Sequence, residues 1–329
     1  MDVQEANNLN VFCGLVLIDK PAGMTSHKVV AMVRKALNLD KVGHLGTLDP
    51  FATGLLPVLL GGATRLSDDI MDGKKQYLFT ISLGTETDTL DATGRVVAEN
   101  EVPEHYLERI KFELKHFIGE IEQVPPVYSA LKMNGKPLYE YMRASGKIPN
   151  PIETKKRKIF IDKLEIINAS IEEKSVTLRV LCGKGTYVRA LARDLAQAIG
   201  TVGYCSQLRR EYVEPWSVEQ ALKISTEIDR DVLKSLIENN LIVVSDILPN
   251  IKVLNLEEIY LKQISSGNIV LIDELAFADK ELLNKIKNCD HSIVNAFVKI
   301  SNKNVMFYSE IKYLNETNQI KVMPRKKMY

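Results

Sequence analysis

Residues 42–58 read VGHLGTLDPFATGLLPV, and this stretch decides the rest of the reading. Gly43 and Gly46 stand on either side of His44, where a backbone without Cβ atoms can turn and approach a ligand closely. Asp49 precedes Pro50, which pushes it toward an extended conformation, so its carboxylate is presented from the end of a loop. A carboxylate in that position can serve as a nucleophile or a general base. Alone, an Asp-Pro step is also an ordinary turn former. The uncharged run Phe51–Thr64 that follows is too short to span a bilayer and is broken by Pro57 and by Gly54, Gly61 and Gly62.

A carboxylate in a dry pocket needs a cation to stay ionised. The string GTYVRALARD, residues 185–194, offers two. At helical spacing Tyr187, Leu191 and Asp194 share one stripe, and Arg189 and Arg193 another. One arginine can pair with Asp49 while the other meets Asp194 or a phosphate; both can equally be surface charges. Tyr77 enters a strand after Lys74-Lys75-Gln76 and can stack a planar ligand. Lys20-Pro21 ends a buried strand and can brace the site. Leu208, ahead of Arg209-Arg210, can wall a pocket.

Strands are expected at Gly14–Ile18, Tyr77–Leu83, Lys158–Ile166, Ser175–Cys182 and Ser206–Tyr212. Helices are expected from Ser26, as cap, through Leu37; across Leu107–Phe117; and from Tyr187 to Ile199. Between the early elements the loop Gly84–Gly94 holds Glu86, Asp88 and Asp91. Residues 124–153 have no clean period and read as a long loop with a short helix around Leu138–Arg143; a loop of that length usually carries function. Ser217-Val-Glu-Gln220 has capping-box spacing. A boundary is expected at Pro249-Asn250, then a small, mostly β module with one helix near Leu256–Ile264.

The chain has 329 residues, enough for two domains. Its 45% hydrophobic and 26% charged residues are ordinary globular usage, which excludes global disorder. A formal net charge of +1 excludes a uniformly basic polyanion coater. Charge is nevertheless uneven. Lys132–Lys163 holds nine basic and three acidic residues, and Lys184–Arg210 five and one, so the remainder is acidic. Two basic stretches on an acidic molecule suggest a polyanion footprint. Cys13, Cys182, Cys205 and Cys289 are widely spaced and read as reduced thiols. The five scattered histidines propose no metal site. No dinucleotide fingerprint or phosphate loop occurs, so no cofactor is expected. With no signal peptide in view, a cytoplasmic location is expected.

Six strings then matter for their order: GLVLIDKPAGMTSH (14–27), VGHLGTLDPFATGLLPV (42–58), KKQYLFTISLGTETDTLDATG (74–94), PPVYSALKMNGKPLYEY (125–141), CGKGTYVRALARDLAQAIG (182–200) and QLRR (207–210). In that order the chain resembles the TruB family of bacterial tRNA pseudouridine synthases across residues 14–216. The resemblance implies an α+β pseudouridine synthase fold, a mixed and mainly antiparallel sheet flanked by helices, with a small, mostly β, PUA-like domain behind it. It implies a polar leader over 1–13, a catalytic domain over 14–250 with 124–153 as an RNA-gripping insertion, and the PUA-like domain over 251–329. The implied activity is conversion of the uridine at position 55 of the tRNA TΨC loop to pseudouridine on a flipped-out nucleotide. No cofactor, membrane or obligatory protein partner is implied, and a monomer is expected.

The resemblance also implies roles. Asp49 is the catalytic carboxylate and Arg189 its partner; Tyr77 stacks on the target base. His44 helps hold the flipped-out loop, Leu208 lines the uracil pocket, and Tyr187, Lys20 and Lys132 belong to the substrate-binding set. Two departures stand out. After QLRR the chain runs Glu211-Tyr-Val-Glu-Pro-Trp216 without the family's usual glycine, and Met142 replaces a usual alanine. A guide-RNA-dependent synthase acting on ribosomal RNA and a non-catalytic RNA chaperone are the rival readings.

Overall fold

In the computed structural model, residues 12–129, 132–133, 136–138, 141–142, 156–248, 251–273, 280–288, 294–300 and 306–328 are described. The described strands form two large sheets. Across the main sheet the order is Leu222–Lys223, Gly14–Lys20, Thr53–Leu60, Gly203–Val213, Lys75–Leu83, Ser175–Cys182, Arg157–Ser170 and Gly119–Gln123. Neighbours are antiparallel except at Gly14–Lys20 beside Leu222–Lys223 and at Thr53–Leu60 beside Gly203–Val213. This is the expected α+β architecture.

The strand Thr53–Leu60 was not expected, because Gly54 and Pro57 read as breakers. The sheet explains how they are tolerated. One edge of this strand pairs fully with Gly14–Lys20. The other edge meets Arg209 and Arg210 only at Thr53 and Gly54, and then Val42–His44 only from Val58 onward. Leu55 to Pro57 fall in the gap, where a ladder N–H from proline is not needed. Gly54 is obligatory at the junction: its φ is +105°, and a Cβ would lie 2.2 Å from the Arg210 carbonyl oxygen.

Apolar alternation builds the face opposite. Tyr77, Phe79, Ile81 and Leu83 point inward from one strand and meet Val176, Leu178 and Val180 from the next. The helix Val188–Ala198 covers them through Leu191 and Leu195, and the helix Ser26–Leu37 joins the same core through Val29, Val30 and Val33. Thr25, not Ser26, caps the first helix, by accepting from the Lys28 amide at 3.0 Å. Ser26 is taken up elsewhere, as shown below. The expected capping box at Ser217 is present.

Behind the main sheet stands a five-stranded one, in the order Lys252–Leu256, Val294–Ile300, Met306–Leu314, Gln319–Lys327, Val270–Asp273. The helix expected over Leu256–Ile264 is displaced: Lys252–Leu256 is a strand, and the helix is Leu261–Ser265. A second helix, Lys280–Asn288, lies in a stretch read as β and loop. The end of the chain docks on the main sheet. Met328 packs with Cys13, Leu15 and Trp216, and its carbonyl sits so near Gly62 that a Cβ there would clash with it. Phe12 and Cys13 are buried, so the last two residues of the expected leader belong to the fold. Pro249, Asn250 and Cys289 lie outside the described residues. Among those described, no helix is long and apolar enough to cross a membrane.

Candidate active site

The loop that carries Asp49 is held from four directions. Ser26, buried at the start of its helix, donates to the Leu48 carbonyl at 3.1 Å and accepts from the Leu48 amide at 2.9 Å. The Gly23 amide donates to the Pro50 carbonyl at 2.8 Å. Lys20 is wholly buried and its ammonium donates to the carbonyls of Met24, Pro21 and Pro50 at 2.7, 2.9 and 3.4 Å. Burial pulls the Lys20 pKa down to about 8, with the Asp49 charge opposing. Arg210, also wholly buried, fills the gap in the sheet: its Nε donates to the Leu55 carbonyl at 2.7 Å and its Nη2 to Gly46 at 3.1 Å. Thus the string KPAGMTSH and the second arginine of QLRR converge on one segment: Lys20, Gly23, Ser26 and Arg210 all grip residues 46–55.

Arg189 meets this loop from the first turn of the helix Val188–Ala198. Its Nε lies 2.9 Å from Asp49 Oδ2, and its Nη2 donates to Oδ1 at 3.3 Å. On its other side Nη1 lies 3.3 Å from Asp91 Oδ2 and donates to the Thr89 carbonyl; Nη2 also reaches Tyr128 O at 2.8 Å. The guanidinium therefore bridges two carboxylates. They differ in access. The Asp91 side chain is 6% exposed and its second oxygen is saturated by Thr89 and Thr93, whereas Asp49 is 34% exposed. Asp49 is the acid that can reach a ligand. Its setting in the protein pushes its pKa up, Arg189 pulls it down and Asp91 pushes it up again, leaving it above the ordinary carboxylate value. Arg193 pairs with Asp194 at 2.7 Å, as the alternative for the second arginine had it.

Asp49 opens onto a cleft of about 310 Å³, with Tyr77, Tyr187, Arg189, Leu208 and Arg210 among its walls. That is the small end of the usual range for ligand pockets, about 300–1,000 Å³. Tyr77 is buried, and burial pushes its phenol up, so it remains a neutral ring. Leu208 sits beside Phe79 in the adjoining strand. Five residues singled out in the sequence, Asp49, Tyr77, Tyr187, Arg189 and Leu208, thus converge on one cleft. Lys20 stands behind the Asp49 loop. His44 does not line the cleft; it packs edge-on against His27 with ring centroids 5.5 Å apart, and burial takes its pKa down to about 4, which keeps the ring neutral. Lys132 is in a short strand, and its side chain lies outside the described residues.

A family model described as TruB family pseudouridylate synthase, N terminal domain, matches residues 34–188. A tRNA pseudouridine synthase B of Aromatoleum aromaticum is 46% identical over 213 residues, 64% of this chain and 67% of that one. Another, of Alkaliphilus oremlandii, is 37% identical over 302 residues, covering 87% of this chain and 97% of the relative. The chain belongs to the TruB family. A chain in the crystal structure of a Cbf5–Nop10–Gar1 complex has the same fold, with a TM-score of 0.62 at 23% identity, over 98% of this chain and 86% of that one.

The geometry adds two buried residues that the sequence does not single out. Asp91 was seen only as one of three acids in a loop. Arg210 was seen only as part of a basic pair. Neither has a local signal, because each acts on a residue more than 40 positions away, Arg189 for one and Leu55 and Gly46 for the other. The pairing of buried Asp91 with Arg189, and the reach of Arg210 to two carbonyls, can be found only once the fold brings them together.

Proposed function

We propose that the protein is a tRNA pseudouridine synthase that isomerises the uridine at position 55 of the TΨC loop. The observation that carries this is the reach of Asp49: a carboxylate held by a buried guanidinium at 2.9 Å, facing a cleft sized for one nucleotide and walled by Tyr77 and Leu208. In the reaction the N1–C1′ bond breaks, the uracil turns, and C5 bonds to C1′. The C5 proton leaves and N1 gains one, so no group or electron pair is supplied from outside.

Target atoms inside a folded RNA loop are reached by everting the nucleotide, at an expense of a few kcal/mol. Stacking on Tyr77 returns about 1–3 kcal/mol of that. Asp49, as the ionised acid, acts on the sugar, either by attack at C1′ or by removal of the C2′ proton. Arg189 keeps it charged and aimed. The basic residues around 132–163 and the PUA-like module over 251–329 grip the RNA backbone, since phosphate contacts dominate such affinity. The protein works as a monomer, without a protein partner or guide RNA.

The test is a bare TΨC stem-loop transcript incubated with the purified protein alone, with pseudouridine mapped by sequencing. Wild type forms pseudouridine at position 55. Asp49→Asn loses roughly four orders of magnitude of turnover or more, the scale for removal of a reacting group, and still binds the transcript. Near-normal turnover by Asp49→Asn overturns the mechanism. A requirement for added guide RNA or a second protein overturns the stand-alone reading.

A further inference from the structure

The strand Gly119–Gln123 ends on a residue that the mechanism above does not use. Gln123 is register partner to Arg157, the first residue of the neighbouring strand. Its amide is buried, 2% exposed, and commits both polar ends to a single residue. Oε1 accepts from the Tyr187 amide at 2.9 Å, and Nε2 donates to the Tyr187 carbonyl at 3.2 Å. Tyr187 is the N-cap of the helix Val188–Ala198, and that helix has no capping side chain of its own. Two more bonds run from the same stretch to the same helix: Arg193 donates to the Val124 carbonyl at 3.0 Å and Arg189 to that of Tyr128 at 2.8 Å.

A buried primary amide is unfavourable unless donor and acceptor are both met. Here both are met by the backbone of the residue that begins the catalytic helix turn. The turn bearing Tyr187 and Arg189 is therefore held from the end of a strand rather than from its own sequence. We infer that Gln123 is a positioning residue for the isomerisation, fixing the start of this helix so that Arg189 stays on Asp49 and Tyr187 faces the base. This rests on the reading of the cleft given under the proposed function.

The consequence has a direction. A misplacement near 1 Å at a reacting group can lower a rate by about 100-fold. If Arg189 loosens, burial acts on Asp49 with less opposition and its pKa climbs further. The ionised form is then lost at higher pH. The shift of the acid limb is therefore the readout that a merely structural role of Gln123 would not move.

The experiment measures kcat and KM for the TΨC stem-loop against pH, with wild type, Gln123→Met and Leu195→Ala. Leu195 is wholly buried on the same helix and does not line the cleft, so its truncation lowers stability without touching the turn. Gln123→Met is expected to lower kcat about tenfold and move the acid limb of kcat to higher pH. Leu195→Ala is expected to lower Tm and leave the acid limb in place. Should Gln123→Met fail to fold, Gln123→Glu, which keeps the acceptor for the Tyr187 amide, carries the same test with a smaller shift. An acid limb that stays at its wild-type position in the folded Gln123 variant, or moves equally in Leu195→Ala, overturns the inference and leaves the proposed function standing. Wild type inert on the transcript overturns the proposed function itself.

Discussion

The two sheets bury different things. In the core around the main sheet lie Lys20, Asp91, Gln123, Arg189 and Arg210, charged or amide groups removed from water. Among the described residues of the C-terminal sheet the only buried polar side chain is Ser309, set in a core of Leu254, Ile264, Val298, Phe307, Ile311 and Ile320. Buried charge opposes folding unless paired, and an apolar core of the same volume would stabilise the main sheet at least as well. The main sheet keeps its charges around one loop and one helix start, those that meet at Asp49. A charge-bearing interior marks where this fold holds a reactive group, and an apolar one marks where it only holds itself.

The contrast between the two interiors is greatest at Arg189. Arg189→Lys retains the charge and loses the planar fork that holds Asp49 and Asp91 together. It is expected to lower kcat/KM by about a hundredfold or more and to move the acid limb to higher pH, because Asp49 is raised by burial and lowered mainly by this guanidinium. Steady-state kinetics against pH on the stem-loop RNA read both effects. Wild-type kinetics in Arg189→Lys would mean that the buried pair is structural, and the contrast between the sheets would lose its meaning.

Truncation in the apolar interior should do the reverse. Ile311 is fully buried in the C-terminal sheet. Ile311→Ala is expected to destabilise that sheet by about 2–5 kcal/mol while kcat stays at its wild-type value below the unfolding transition. Native-state hydrogen exchange separates the two, since amides of Val294–Ile300 and Met306–Leu314 should lose protection and those of Lys75–Leu83 should keep it. A fall in kcat matching the loss of protection would join the two interiors into one cooperative unit.

How far these interiors were legible depended on whether the signal was local. The strand Ser175–Cys182 matched residue for residue, because its alternation is regular. The strand Arg157–Ser170 was read short, as Lys158–Ile166, because irregularities at Ile161/Lys163 and Ile166/Asn168 break its register with the next strand. Asp49, Tyr77 and Arg189 were legible as motif residues. Ser26 was misassigned as a cap because its residue type suits one, while its actual partner, Leu48, lies 22 positions on. Gln123 carried no signal, since an amide in a strand has no pattern until its partner Tyr187, 64 positions on, is in place. Position in sequence shows which residues can do chemistry; the buried partners that hold them are visible only in three dimensions.

The smallest expected effect lies at the joint between the sheets. Lys326 and Asp69 face each other across it at 2.6 Å, the only ion pair between the two sheets' sides among the described residues. Their side chains are 28% and 30% exposed, and partly exposed pairs of this kind contribute about 0–1 kcal/mol. The joint has stronger holds. Arg65 donates to the Lys327 carbonyl, the Met328 carbonyl closes on Gly62, and Met328 packs with Leu15, Trp216 and Phe297. A double-mutant cycle of Asp69→Asn and Lys326→Met, read from denaturant midpoints, is therefore expected to give a coupling below about 1 kcal/mol, with kcat unchanged. A larger coupling would show that charge fastens the C-terminal sheet to the main one, and the division into a charged catalytic interior and an apolar supporting one would have to be redrawn at their border.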